Sequence, residues 1–180
     1  MKTSLLSLLV ILGLTLPTFA EDWTFFSEVP KVDNKNYGVA LIAGSSDLDA
    51  HDSSGDLYGV ELSFIAPCVK ASEHTIREQV SLTKFHKQDV DIYTLEANPH
   101  YLYQVESNTF FGIGPSIGLN IIDSNDLDDV ALTLGVGASI HKVMTDKLFL
   151  GAEFRTVYAT DRDVDNVRVI GKVGYFFDWN

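Results

Sequence analysis

Between residues 37 and 179 the chain alternates apolar and polar side chains in eight runs, separated by short polar clusters. Successive side chains of a strand point to opposite sides, so each run predicts a strand with one apolar and one polar face. The clearest is the last, 167–179. There Val167, Val169, Gly171, Val173, Tyr175, Phe177 and Trp179 alternate with Arg168, Ile170, Lys172, Gly174, Phe176 and Asp178. The first run, 37–44, places Tyr37, Val39, Leu41 and Ala43 on one face. The second, 57–66, sets Tyr58, Val60, Leu62 and Phe64 against Gly59, Glu61 and Ser63. The third, 75–85, mixes Glu78 and Lys84 into the face of Ile76, Val80 and Leu82, which points to a bulge. The fourth, 90–103, carries Tyr93, Leu95, Ala97, Pro99, Tyr101 and Tyr103 on its apolar side, and Pro99 can donate no ladder hydrogen bond. Runs 108–121, 130–141 and 148–158 repeat the pattern around Ile113–Ile117, Leu132–Val136 and Leu150–Phe154; the other face is rich in Gly and Ser in the first two and carries Gly151, Glu153 and Arg155 in the last.

Such a strand separates two environments. In a soluble sandwich or calyx the apolar faces meet a protein core or a ligand. In an outer-membrane barrel they meet lipid, and the polar faces fill a lumen. Three features favour the barrel. The strand count is even, and most runs reach the roughly 9–11 residues that a tilted strand needs to cross a bilayer. Short connections suit an up-and-down antiparallel meander. Aromatic residues sort to strand ends on the apolar face: Tyr58, Tyr93 and Tyr158 at one end, and Tyr37, Phe64, Tyr101, Tyr103, Phe111, Phe177 and Trp179 at the other. Girdles of this kind mark the two membrane–water boundaries. The expected fold is therefore all-β: an eight-stranded antiparallel up-and-down transmembrane β-barrel, with the closing run paired to run 37–44 so that no edge is left open.

If both termini are periplasmic, connections 45–56, 86–89, 122–129 and 159–166 face outward, and 67–74, 104–107 and 142–147 face inward. The outward set holds twelve aspartates and the inward set one.

The start of the chain agrees with export. Lys2, an apolar run over 5–16 and Pro17-Thr18-Phe19-Ala20 read as a secretory signal peptide over 1–20. Residues 21–36 form a leader with an aromatic cluster, Trp23, Phe25 and Phe26, ahead of Pro30; it either lies on the inner interface as a short amphipathic piece or leads loosely into the first strand. The barrel domain is expected over 37–180. Lys2 is the one charged residue of the first twenty, so the remainder carries 12 basic and 25 acidic residues, a net charge of −13. That disfavours nucleic acid as a partner. Cys68 is the only cysteine, so an intramolecular disulfide is excluded.

The polar face holds Glu61, Glu96 and Glu153 with Arg77, Arg155, Arg168 and Lys172. Charges inside so narrow a barrel must pair or stay hydrated. Their near balance points to an internal ion-pair network rather than an open diffusion channel. His100 and His141 share that face, and with Glu96 or Glu153 they could form an acid–base pair; membership of the polar network is the simpler reading.

Leu95-Glu96-Ala97-Asn98-Pro99-His100-Tyr101, Phe110-Phe111-Gly112-Ile113-Gly114-Pro115-Ser116-Ile117-Gly118 and the closing alternation together resemble the small eight-stranded outer-membrane barrels, the OmpA-transmembrane-domain, OmpX and Ail-like group often called porin-family. The resemblance covers about 37–180. It implies insertion through the outer-membrane assembly machinery, which reads the C-terminal strand. That signal usually ends on the aromatic itself, whereas here Asn180 follows Trp179. No peptidoglycan-binding domain is expected after the barrel, unlike full-length OmpA.

Two candidate sites remain. The acidic connections carry Asp47, Asp49, Asp52 and Asp56; Asp123, Asp126, Asp128 and Asp129; and Asp161, Asp163 and Asp165. Divalent cations held by these carboxylates could bridge to lipopolysaccharide, although the calcium-loop template fails at its glycine and final glutamate, and solubilising loop tips are the plainer reading. Catalysis on lipid A would need His, Ser and an acid on the lipid side, and the only His-x-Ser, His51-Asp52-Ser53, lies in a connection. The expectation is a monomeric, non-enzymatic protein of the Gram-negative outer membrane. It needs no cofactor, contacts outer-membrane lipid and lipopolysaccharide, and acts in envelope structure or in contact with ions or a host or phage ligand. A lipid A-modifying enzyme of the same fold, a soluble periplasmic calyx and narrow conductance are the alternatives.

Overall fold

A computed structural model describes residues 24–25, 37–48, 53–65, 69–70, 75–87, 90–124, 127–160 and 164–177. Eight strands form a barrel: β1 (Tyr37–Leu48), β2 (Ser53–Ile65), β3 (Thr75–Lys87), β4 (Val90–Glu106), β5 (Thr109–Ser124), β6 (Leu127–Val143), β7 (Leu148–Ala159) and β8 (Asn166–Phe177). Each pairs antiparallel with its neighbour in sequence, and β8 pairs with β1 from Phe177↔Tyr37 to Asn166↔Leu48, closing the barrel. Beside the barrel, Thr24–Phe25 pairs with Val69–Lys70. Among the described residues no helix is long and apolar enough to cross a membrane; the segment 1–20, most of the leader, Cys68, Trp179 and Asn180 lie outside them.

The register explains how the apolar faces join. One cross-strand row runs Leu150–Val173–Leu41–Val60–Leu82–Leu95–Leu119–Leu132 through all eight strands. It returns to β7 beside Thr160, whose N–H donates to Leu132 O at 2.9 Å. The strands are therefore staggered as they wind, as barrel closure requires, and eight of them leave an interior just wide enough for side chains. Every residue of this row faces outward, Leu41 70% exposed and Val173 52%. The calyx alternative, with Val173 and Tyr175 inside, is overturned: both lie on the outer face, while their neighbours Lys172, Gly174 and Phe176 are buried inside.

The strands outrun the apolar pattern at the end away from the termini, here the acidic end. Pairing continues to Leu48↔Ser53, Lys87↔Val90 and Ser124↔Leu127. Much of the expected outward connections is thus strand, and Asp47, Asp56, Asp123 and Asp129 are strand residues; Asp49, Asp52, Asp126, Asp161 and Asp163 lie outside the described residues. The bulge expected in β3 is absent, since both of its ladders run without a break. The register shift falls instead at Gln104/Glu106 of β4.

Pro99 does interrupt a ladder. Between Ala97↔Ile117 and Tyr101↔Ile113 the β4–β5 pairing lapses, and the register sets Pro99 opposite Pro115. Neither proline has an N–H to give. The wall is held there by close approach instead: a Cβ on Gly114 would sit 1.8 Å from Pro99 O. Gly114→Ala should therefore wedge the two strands apart and cost about 1–3 kcal/mol, as overpacking does. The check is the fraction of protein in the compact, heat-modifiable gel band after refolding, which should fall relative to the parent.

Candidate functional site

The inward faces hold a closed network of charge. Lys172 on β8 lies at its centre. Its Nζ is 2.5 Å from Glu61 Oε2 of β2, 2.5 Å from Glu153 Oε2 of β7, and donates to Gln79 Oε1 of β3 at 2.9 Å. Arg155 on β7 donates from Nε to Glu153 Oε1 at 2.7 Å, and its terminal nitrogens pair with Glu153 and with Glu96 of β4. Arg168 on β8 reaches the other oxygen of Glu96 at 3.1 Å and donates to Asn166 Oδ1 at 2.6 Å. Three carboxylates thus face three cations, all buried. Burial makes each pair depend on the others, because a single buried charge left without its partner is costly. Arg77, the remaining sequence candidate, donates to Ser63 Oγ at 2.9 Å and lies with its guanidinium 5.1 Å from the Phe176 ring centroid.

Glycines shape this interior. His100 of β4 reaches across β5 to Ser139 of β6, its Nδ1 2.8 Å from Ser139 Oγ. A Cβ on Gly112 would come within 2.6 Å of that hydroxyl, and one on Gly114 within 3.0 Å of the imidazole. Ser139 Oγ also lies 3.0 Å from His141 Nε2, and His100 Nε2 is 3.8 Å from Glu153 Oε1. The expected acid–base neighbourhood thus forms around Glu153 rather than Glu96. Its residue types, Ser, His and Glu, are those of a nucleophilic triad. Its setting is not: His100 is fully buried, Glu153 is tied to Arg155 and Lys172, and the group faces the lumen, away from the outer apolar face.

Apolar side chains close the lumen on both sides of this network. At the acidic end Leu48, Phe85, Ile92, Ile122, Ala131 and Val164 pack together, and Ile42, Leu57 and Ile170 form a second cluster. At the other end Phe149 and Phe176 stack with centroids 4.6 Å apart over Ala40. A Cβ on Gly174 would fall 2.2 Å from the Phe149 ring, so glycine makes room for it. These inward apolar residues were not expected from the sequence, which read the inward face as polar. Their signal is Ile170 and Phe176 standing on the polar side of the closing run. Reconstituted in a planar bilayer, the protein should show no unitary conductance. Removing both rings (Phe149→Ala with Phe176→Ala) should still leave it closed, since the acidic-end cluster remains.

Several of the aspartates weighed as cation ligands (Asp126, Asp161 and Asp163 among them) lie outside the described residues. Among the described residues no group of three His, Cys, Asp or Glu side chains could hold a metal ion. Asp129 Oδ1 accepts the Val130 N–H at 2.7 Å, and Asp165 Oδ1 accepts the Ala159 N–H at 2.6 Å, so these two carboxylates serve the local backbone. His51-Asp52-Ser53 lies outside the described side chains. A different outward-facing cluster, Lys84, His86 and Asp91, escaped sequence reading, where Lys84 registered only as a flaw in an apolar face.

An outward apolar belt, a stagger of closed antiparallel strands and a charged, plugged interior define the fold of the small eight-stranded outer-membrane barrels. Sequence comparison finds no matching family model and no matching curated protein. Structural comparison does. The chain is similar to Ail, the attachment invasion locus protein of Yersinia pestis, with TM-score 0.56 and 12% identity over 79% of this chain and 97% of that one. It is similar to Neisserial surface protein A, with TM-score 0.53 and 19% identity over 79% and 97% of the two chains. The outer-membrane enzyme PagL matches with TM-score 0.52 and 15% identity over 79% and 99%. At such identities the shared property is the fold.

Proposed function

We propose that this chain is a non-enzymatic protein of the bacterial outer membrane: a rigid, plugged barrel that anchors an acidic rim at the cell surface. The observation that carries this reading is the inversion of the usual burial. Val, Leu, Ile and Tyr cover the outside, while Glu61, Glu96, Glu153, Arg155, Arg168 and Lys172 are buried inside. In water such a surface would be an aggregation site far larger than soluble proteins expose; in lipid it is the stable arrangement. Tyr58, Tyr93 and Tyr158 at the acidic end, and Tyr37, Tyr103, Phe111 and Tyr175 toward the other, sit on this outer face where girdles belong. The acidic rim supports a role in contact with ions, lipopolysaccharide or a host or phage ligand. Gel mobility before and after boiling, with membrane fractionation, tests the reading. A heat-modifiable band in the outer-membrane fraction is expected; soluble periplasmic protein without such a band rejects it.

A lipid-modifying enzyme is the second reading. The Ser139–His100–Glu153 grouping favours it by residue type, and its enclosure opposes it. Mass spectra of lipid A from cells with and without the protein should be identical; a lost or added acyl chain would reverse the order of the two readings.

A further inference from the structure

We propose that these barrels associate side by side in the membrane through an ion pair between Glu78 of one copy and Lys142 of the next. This rests on the membrane reading above and departs from the monomer expected from the sequence. Glu78 is a carboxylate on the lipid face. Its neighbours Arg77 and Gln79 are buried inside, so its own side chain points outward, in a row with Phe64 of β2 and Pro99 of β4. Phe64 belongs to the inner girdle, and Ile76 and Tyr101 stand one step nearer that end of the barrel. Glu78 therefore lies just inside the apolar belt, half-buried. Among the described residues no side chain bonds to Glu78 or to Lys142. A glutamate has a short stem and cannot reach for water as a lysine does. An ionisable group left at such a depth calls for a partner of opposite charge.

The counterpart stands on β6. Lys142 is exposed on the outer face, between Thr109 of β5 and Leu150 of β7. Ile140, two residues before it, lies opposite Phe111 of the inner girdle, so Lys142 is one step beyond that girdle. The stagger of the strands relates the two depths. The apolar row leaves β7 at Leu150 and returns at Thr160, ten residues along, after passing through eight strands. From Glu78 the register runs to Pro99, across to Pro115 and on to Val136 of β6. With that stagger, Lys142 lies about two residues nearer the inner end than Glu78, roughly 5 Å along the barrel axis. The four-carbon stem of a lysine spans such an offset.

Three strands separate the two groups, so they face different sides of one barrel and cannot meet within it. Copies in a membrane share one orientation, and side chains at like depth meet. A two-fold contact through β3 would set Glu78 against Glu78, which like charge forbids. The contact that matches the charges is head-to-tail, β3 of one copy against β6 of the next, and it repeats from copy to copy. The next outward residue on each wall is apolar, Val80 above Glu78 and Ile140 above Lys142. They flank the pair on the lipid side and keep it from water, where an ion pair is strongest.

Barrels labelled with a donor or an acceptor dye at Cys68, the only cysteine, are folded together into phosphatidylcholine vesicles, and energy transfer is read as the protein is diluted with lipid. Transfer should exceed that of randomly distributed barrels. Glu78→Gln or Lys142→Met should raise the protein density needed for half-maximal transfer by about tenfold, the step that one charge-assisted contact supplies. Glu78→Lys by itself and Lys142→Glu by itself should each stay dispersed. A mixture of those two variants should associate again, because each supplies the charge that the other lacks. Parent transfer no higher than random, transfer unchanged by Glu78→Gln, or a mixture that stays dispersed overturns the proposal and leaves Glu78 to the lipid headgroups. The heat-modifiable band, read on the same samples, separates the two levels. Barrels that insert and stay dispersed defeat only this inference, and a parent chain that fails to insert defeats the membrane reading beneath it.

Discussion

Lys172→Met should be the most damaging single substitution in the lumen. The methionine fills much the same space, yet it leaves Glu61 and Glu153 buried without the ammonium that each meets at 2.5 Å. Removing one partner of a buried pair costs about 3–5 kcal/mol, because the charge left behind keeps its desolvation penalty. Glu61 loses the cation bonded to it while Glu153 keeps Arg155, so a cost within that range is expected. Urea titration of the barrel in vesicles, scored by the folded gel band, measures the loss. Adding Glu61→Gln to Lys172→Met should recover part of it, since a neutral amide needs only hydrogen bonds. A midpoint unchanged by Lys172→Met would show that the network is solvated and loosely coupled.

Val173→Arg has the second largest expected effect, and its size depends on the surrounding solvent. Val173 is 52% exposed between Leu150 and Leu41 in the apolar row. On the surface of a soluble protein such a change lies within about 0.5 kcal/mol. On the lipid face near the bilayer midplane it costs about 2–4 kcal/mol. The same substitution at Val167, nearer the acidic end of β8, should cost less, about 0–1 kcal/mol near the interface. Stability profiles of the two variants in lipid vesicles provide the check, and equal costs would contradict a bilayer around β8.

The faces of the strands were legible in the sequence because alternation with a period of two records which side each residue meets. Tyr58, Leu82, Leu119 and Val173 all lie on the face their parity assigned. The strand ends were less legible. Apolar alternation stops where the outer solvent becomes water, but backbone pairing does not depend on the side chain, so β1 continues to Leu48 and β5 to Ser124. Asp47, Asp56 and Asp123 therefore read as loop and prove to be strand. The plug residues were hidden for a related reason. Phe85, Ile92 and Phe149 are inward residues beyond the charged middle of the lumen, and parity alone cannot tell an apolar seal from an irregularity.

The sequence by itself determined the two-sided strands, their number and the set of charges that share the interior, because these follow from local alternation. Only the tertiary structure decided which charges meet. Lys172 joins Glu61, 111 positions away, and Arg168 joins Glu96, 72 away. Those pairings depend on the stagger with which eight strands close, a property of the whole barrel that no single strand carries. The β3–β4 hairpin, a local pairing that needs no closure, brings Lys84 and His86 onto Asp91, and so turns an apparent defect in an apolar face into a charged cluster.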